Sequence, residues 1–237
     1  MPFILAPVVT KDMPGLWAEG SPYSTDIIYD ICAPAALGPP VQYDSHTLKP
    51  HSMCHFDAPG HIIPGGETID DLYKNHLDYF FGPVLVIKLN TRNFILNLNT
   101  KIFHWEVKKA ELELALSPYL KDGVEKLFMS FKDAESNFYS NSTHALTLSE
   151  EAAVWLTSLP RFNLFGTIWK STDYCPGSRE RPIHKELFKS AGIIECLDLS
   201  KVPEGRYFLC AFPIPTFGAT ESPVCPVLFS ENEIHWK

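Results

Sequence analysis

The chain has 237 residues, of which 45% are hydrophobic and 20% charged, ordinary values for a globular protein with a sizeable core. Its formal net charge is −8 and it has no basic block, which argues against nucleic acid or an anionic membrane as the main partner. The start of the chain is too short and too proline-rich an apolar run for a signal peptide, and no apolar run approaches the roughly 18 residues of a membrane helix.

The first part of the chain predicts little regular structure. The first fifty residues are rich in Pro and Gly and predict loops and short strands, with residues 1–45 as a candidate N-terminal arm over a pocket. The β-branched content of residues 82–89 predicts a buried strand. Helical periodicity follows at residues 106–116, and a strand is predicted near 124–131.

The second part alternates helices with strands. Thr147-Leu-Ser-Glu150 matches a capping box and predicts a helix start, and residues 162–169 predict a strand. Arg181-Pro-Ile-His184 opens a helix with its proline in the first turn, and Gly192 is expected to end it. Residues 193–199 then read as a strand.

Residues 206–214 form the last predicted strand. No change in composition marks a second domain, so residues 1–237 are expected to form one domain. Many strands with few helices predict a mixed α/β fold with a β-rich, barrel-like core and a few flanking helices.

The segment His51-Ser-Met-Cys-His55-Phe-Asp57-Ala-Pro59-Gly-His61 places four polar groups at even spacings. In an extended segment all four side chains would share one face, whereas in a helix they would not. A fully extended strand would hold residues 51 and 61 roughly 33 Å apart, so the segment must bend near Pro59 if all four serve one centre. Imidazoles and a carboxylate on one face are suitable ligands for a divalent metal. The alternative is a surface loop that happens to be rich in histidine.

Glu195 lies within the apolar run Ile193-Ile-Glu-Cys-Leu, where a carboxylate is costly unless it is paired or bound to a metal. His184 lies at the start of the helix that leads into this strand, so the two side chains can converge. The alternatives are an edge strand with its acid facing water, and an exposed helix residue. Together with the 51–61 segment, both become candidate ligands or groups that orient ligands.

The cysteines show no metal-binding or disulfide pattern. They are scattered without a C-x-x-C pair, at positions 32, 54, 175, 196, 210 and 225. In a chain of this length that spacing indicates reduced thiols and a cytoplasmic setting.

The 51–61 segment resembles the signature H-x-G-T-H-x-D-x-P-x-H of the cyclase-like metal hydrolases, which include bacterial kynurenine formamidase and isatin hydrolase. Five positions match: His51, His55, Asp57, Pro59 and His61. The resemblance continues at residues 65–72, 82–87, 146–156 and 171–173, His184, residues 192–195 and 218–223.

The resemblance implies a metal centre with five ligands or ligand-orienting groups: His51, His55, Asp57, His184 and Glu195. It implies His61 as the general base or acid. The implied metal is zinc, with manganese as the alternative, at one or two ions per chain, and ligation by nitrogen and oxygen alone suits both. A homodimer or tetramer that acts on a small molecule is also implied.

Two departures from the family pattern concern substrate contacts more than the metal. Met53-Cys54 replaces the family's Gly-Thr pair, and Ile168 replaces the first Asp of its G-x-D-x-x-S-x-D string. The usual R-T-G is replaced around residues 129–132. We expect Cys54 to face away from the ligands and to pack as a small hydrophobic residue.

The resemblance and the chemistry of the residues together predict a metal-dependent amide hydrolase. The first candidate substrate is an aryl formamide such as N-formylkynurenine, and the second is a cyclic amide such as isatin. A non-catalytic metal or small-molecule binding protein is the alternative of a different class. Trp17, Tyr23 and Phe56 are candidate aromatic walls of the pocket, although core packing is the commoner role for each.

Overall fold

The computed structural model describes residues 1–90, 92–174 and 179–233. The strands are β1 (Phe3–Ile4), β2 (Tyr23–Tyr29), β3 (Tyr43–Leu48), β4 (His55–Asp57), β5 (Phe81–Leu89), β6 (Ile95–Asn97), β7 (Ile102–Val107), β8 (Lys126–Phe131), β9 (His144–Leu148), β10 (Leu164–Thr167), β11 (Gly192–Glu195), β12 (Gly205–Cys210), β13 (Glu221–Pro223) and β14 (Val227–Phe229). The α-helices are α1 (Ile69–Asn75), α2 (Lys109–Leu116), α3 (Glu150–Thr157) and α4 (Pro182–Leu187).

A nine-stranded sheet in the order β1-β14-β12-β5-β8-β10-β11-β4-β13 forms the centre of the molecule. Neighbouring strands from β5 to β11 run parallel, and β4 and β13 continue the sheet antiparallel. The sheet curls into a half-barrel with few helices, which confirms the predicted mixed α/β fold.

The central strands are apolar because both of their faces are covered. Every residue of β8 is buried, and the predicted strand at 82–89 lies within β5, where residues 84–87 are also buried. Helix α3 packs against α2 and α4 beside the sheet. The parallel strands thereby form a rigid base from which β4 and β11 extend.

Helix α3 is where expected, but its cap is a different residue. The side chain of Ser149, not Thr147, accepts a hydrogen bond from the Ala152 N–H, at 3.2 Å. Thr147 lies within β9, opposite Glu106 of β7. Because strand pairing holds Thr147 in extended backbone two residues before the cap Ser149, its hydroxyl cannot serve the first turn.

Other boundaries also differ from the predictions. Helix α2 begins at Lys109 rather than at residue 106, because 102–107 form β7 and pair with β9. Gly192 does not end a helix: α4 ends at Leu187, and Gly192 opens β11. β11 stops at Glu195 rather than at residue 199, since Cys196 adopts a left-handed backbone with φ of 62°.

The remaining predicted strands are shorter in the structure. They span 126–131, 164–167 and 205–210. In the candidate arm, β1 pairs with β14 in the main sheet, whereas β2 and β3 form a separate two-stranded sheet with mostly exposed side chains. Among the described residues, no helix has the length and apolar character needed to cross a membrane.

Candidate metal centre

Strand β4 carries the core of the 51–61 segment. His55 and Asp57 alternate with Phe56, which packs on the opposite face against Phe80 at a ring distance of 5.1 Å. Short 3₁₀ turns at 50–52 and 59–61 flank the strand. The segment therefore bends near Pro59, as expected, and also at residues 50–52, which was not expected, so that only its middle is extended.

The neighbours of β4 bring two more acids to the same place. In the antiparallel register, His55 lies opposite Glu195 of β11, and Asp57 lies opposite Glu221 of β13. Glu195 is buried in the interior of the sheet, so the alternative of an edge strand with its acid in water is wrong.

The ring nitrogens and carboxylates converge. His55 Nε2 lies 3.1 Å from His51 Nδ1, 3.5 Å from Asp57 Oδ1 and 3.7 Å from Glu195 Oε2. His184 Nε2, from α4, lies 3.4 Å from Glu195 Oε1 and 3.8 Å from Asp57 Oδ2. The structure thus brings the five predicted ligand side chains to one centre.

Three atoms of this centre lack the partners that burial requires. Within the described residues, both carboxylate oxygens of Asp57 and Nε2 of His184 are buried and have no hydrogen-bond partner. A buried carboxylate in that state costs several kcal/mol unless a cation compensates it. Two sets of donor atoms within 4.8 Å of one another share this aspartate: His51, Asp57 and His61, and His55, Asp57 and Glu195. Their nitrogen and oxygen donors fit a divalent metal ion.

Hydrogen bonds on the far sides of two imidazoles fix the orientation of their rings. His55 Nδ1 donates to the Met53 carbonyl oxygen at 2.8 Å. His184 Nδ1 donates to Asp173 Oδ2 at 2.6 Å. Because carbonyl and carboxylate oxygens only accept, each Nδ1 carries a proton, and in the neutral form of each ring Nε2 presents its lone pair to the centre.

Asp173 is a functional residue that the sequence analysis noted only within the matching string 171–173. Besides orienting His184, its carboxylate accepts the backbone N–H groups of Ile183 and His184, both at 3.1 Å. It therefore ties the first turn of α4 to the centre. No local pattern singled it out, because its partners lie ten and eleven residues later in the chain.

The centre is electrostatically strained in the absence of a cation. Burial raises the pKa of Glu195 to about 7, although the nearby His184 opposes this shift. Burial alone would lower the pKa of His184, but its hydrogen bond with Asp173 and the neighbouring carboxylates raise it to about 9. Burial, reinforced by His55, lowers the pKa of His51 to about 4. Such opposed shifts are typical of functional sites.

His61 lies at the rim of the centre rather than within it. Its ring centroid is 4.6 Å from that of His51 and 6.0 Å from that of His184, and its side chain is 26% exposed. Burial lowers its pKa, although the charge of Asp57 opposes the shift.

Glu221 was not identified from the sequence. Its carboxylate lies 3.8 Å from His51 Nε2 and 3.9 Å from His61 Nδ1. Only the pairing of β13 with β4, far apart in the chain, places it there.

A cavity of about 120 Å³ opens onto the centre, lined by Trp17, His51, His61, Ser171, Arg181, His184 and Glu195. The indole of Trp17 donates to the His51 carbonyl oxygen at 2.9 Å, so this candidate aromatic wall lies at the site. Tyr23 instead bonds His46 on the β2–β3 hairpin, and Phe56 belongs to the core. Neither lines the cavity.

The residues that depart from the family pattern are buried. Cys54 is 3% exposed and packs in the core as expected, and burial raises the pKa of its thiol. Met53 lines an apolar groove beside Cys54. Ile168 is buried in the core.

Comparisons with known proteins agree with this geometry. The model of the family described as "Putative cyclase" matches residues 5–173. A kynurenine formamidase of Paracidovorax citrulli (strain AAC00-1) is 30% identical over 217 residues, 88% of this chain and 91% of the relative. A kynurenine formamidase of Salinibacter ruber is 31% identical over 189 residues, 79% and 80% of the two chains.

Solved structures share the fold. An isatin hydrolase bound to the product analogue thioisatinate has a TM-score of 0.75 at 20% identity, covering 97% of this chain and 92% of its own. Isatin hydrolase A from Ralstonia solanacearum has a TM-score of 0.71 at 20% identity, with the same coverage. With a family model that matches most of its length and relatives that match it almost end to end, this chain belongs to the cyclase family.

Proposed function

We propose that this chain hydrolyses the C–N bond of an aryl formamide in a metal-dependent reaction, with N-formylkynurenine as the first candidate substrate. The observation that carries the proposal is the buried carboxylate of Asp57, which has no hydrogen-bond partner among the described residues and faces His55 and His184. Relatives named kynurenine formamidase supply the reaction class.

We assign metal ligation to five side chains: His51, His55, Asp57, His184 and Glu195. Their donors are nitrogen and oxygen without thiolate, which suits zinc and, as the alternative, manganese. We propose one or two ions per chain; the donor set of His55, Asp57 and Glu195 lies wholly within these five ligands and supports the first of them. When bound, such an ion lowers the pKa of a water molecule and polarises the amide carbonyl.

We assign proton transfer to His61. Burial lowers its pKa, which favours the neutral imidazole, the form that can accept a proton from the attacking water. It then returns that proton to the nitrogen that leaves, and the products are formate and an aryl amine.

The second candidate is the opening of a cyclic aryl amide, the reaction named for the isatin hydrolases whose fold this chain shares. It needs the same water, the same proton acceptor and the same polarised carbonyl, but releases no separate acid. The shape of the cavity, rather than the metal centre, therefore decides which of the two substrates is hydrolysed.

We also propose a homodimer or tetramer in the reducing cytoplasm. The β2–β3 hairpin exposes large apolar side chains, including Ile27, Ile31 and Tyr43, which favours burial against another subunit. The five described cysteines form no disulfide, and Cys175 lies outside the described residues. Light scattering of the purified chain tests the assembly, and a monomer would contradict it.

The function is tested by metal analysis of the purified protein together with assays on N-formylkynurenine, formanilide and isatin. We expect one or two divalent ions per chain and release of formate from the formamides. The variant Asp57→Ala, which lacks the shared carboxylate, is the control for metal dependence. Full metal content without turnover of any amide would instead favour the binding protein, and turnover of isatin alone the cyclic-amide hydrolase.

A further inference from the structure

Two cations stand beside the aromatic wall of the cavity. Lys170 Nζ lies 4.4 Å and Arg181 Cζ 5.7 Å from the centroid of the Trp17 ring, distances at which a cation is attracted to the ring face. Arg181 also lines the cavity, and its Nη1 donates to Ser171 Oγ at 3.3 Å. The guanidinium of Arg181 is thus held at the cavity beside the candidate metal centre.

The backbone of Arg181 is unusual for its residue type. It adopts the left-handed conformation, with φ of 51° and ψ of 53°, immediately before α4. That conformation strains any side chain with a Cβ, and glycine or asparagine adopts it more easily. The left-handed conformation of Arg181 is not required to cap α4, because the Asp173 carboxylate accepts the N–H groups of the first turn. Strain of this kind is concentrated at functional sites.

The charge at this side of the cavity is opposite to that of the interior. The centre itself is acidic, with Asp57, Glu195 and Glu221 within 4 Å of its imidazoles. Arg181 lines the same cavity, and Lys170 lies against the Trp17 ring that forms part of its wall, so these two side chains bring positive charge to this side. A substrate whose amide reaches the metal centre therefore presents its remaining groups to these cations.

We propose that Arg181, assisted by Lys170, makes the enzyme select aryl amides that bear a carboxylate. A guanidinium matches a carboxylate with two parallel N–H donors, and such charged hydrogen bonds are stronger than neutral ones. Lys170 adds attraction without that geometric match. This inference rests on the proposed function, and it narrows the substrate class from aryl formamides in general to anionic ones.

The test compares 2-formamidobenzoate with formanilide, which differ only in the carboxylate. We expect the wild-type protein to have the higher kcat/KM for the anion. In Arg181→Gln the ratio of the two kcat/KM values falls by about 10- to 100-fold, the effect of one charged hydrogen-bond pair, and the loss lies mainly in KM for the anion. Arg181→Lys, which keeps the charge but not the fork, gives a smaller fall.

The matched control is Lys185→Gln, which removes an exposed cation that pairs with Glu180 on the outside of α4. It leaves the ratio unchanged, whereas a general effect of net charge would lower it equally. Metal content is measured for each variant, so that displacement of His184 is seen separately. If Arg181→Gln does not fold, Arg181→Lys provides the test, because the inference requires its ratio of kcat/KM values for the anion and formanilide to fall below that of the wild type.

Binding separates this inference from the proposed function. Calorimetry on the metal-loaded protein measures the dissociation constants of 2-aminobenzoate and aniline, and needs no turnover. If neither formamide is hydrolysed but Arg181→Gln still weakens 2-aminobenzoate selectively, the function is wrong and the anion subsite stands. If the preference for the anion is absent, or is the same in wild type and Arg181→Gln, the inference is overturned, and in the latter case the carboxylate is held elsewhere in the cavity.

Discussion

Asp57 is the residue on which the candidate site depends. It belongs to both sets of donor atoms, and its two oxygens lie 3.5 Å from His55 Nε2 and 3.8 Å from His184 Nε2. These distances are too long for hydrogen bonds but suit donors that surround a cation. The side chain of His61 is partly exposed, whereas those of Asp57, His55 and His184 are buried. A ligand and a proton acceptor should therefore respond differently to removal.

We expect His61→Ala to retain its metal and to lose about 10²- to 10⁴-fold in kcat, the usual contribution of a general acid or base. Asp57→Ala should lose metal, because no other described carboxylate is shared by the two sets of donors. Metal content by mass spectrometry and kcat on an aryl formamide measure both. Activity that persists in His61→Ala would mean that another group moves the proton.

At the scale of elements, the site is set by the contact between β4 and β11. Gly192 opens β11 beside the ring of Phe56, and a Cβ there would lie 2.2 Å from Phe56 Cζ. The strand can approach β4 closely only because this position has no side chain. That approach places Glu195 opposite His55.

Gly192→Ala should therefore lower both the stability and the metal affinity. Crowding of this kind costs about 1–3 kcal/mol in a well-packed core, and separation of the strands moves Glu195 away from His55. Urea unfolding and metal titration measure the two effects. Val154→Ala, at an exposed position of α3, is the control and should change the free energy of unfolding by less than about 0.5 kcal/mol. Equal stability of Gly192→Ala and wild type would contradict the packing argument.

At the scale of the whole molecule, the centre joins elements from distant parts of the chain. β4, β11, β13 and α4 each supply a charged or titratable group to it. Asp57 and Glu195 are buried close to the same imidazoles, and the two Asp57 oxygens have no hydrogen-bond partner among the described residues. A bound metal should therefore stabilise the fold as well as supply chemistry.

Removal of the metal by a chelator should lower the Tm. Binding at a thousand times Kd stabilises a protein by about 4 kcal/mol, which corresponds to roughly 8–16 °C for a chain of this size. Scanning calorimetry with and without chelator measures the shift, and re-addition of zinc or manganese should reverse it. The Tm of Asp57→Ala should not change when the chelator is added. A wild-type Tm that is the same with and without chelator would contradict the assignment of this centre as a metal site.

The sequence by itself determined the mixed α/β class and drew attention to His51, His55, Asp57, His61, His184 and Glu195. It could do so because the alternation of side chains along an extended segment is a local property, and because an acid within an apolar run is conspicuous without any structure. Even the need for a bend near residue 59 followed from the reach of the chain.

How those groups meet, and what surrounds them, depends on contacts between segments that are far apart in the chain. No local pattern assigned a role at the centre to Glu221, Asp173 or Arg181, and these residues reach it through strand register, a helix cap and the lining of the cavity. The true cap at Ser149 and the role of Gly192 likewise depend on the strands that pack beside them. The physical reason is that local propensity is encoded in neighbouring residues, whereas contacts between distant segments depend on the packing of the whole chain.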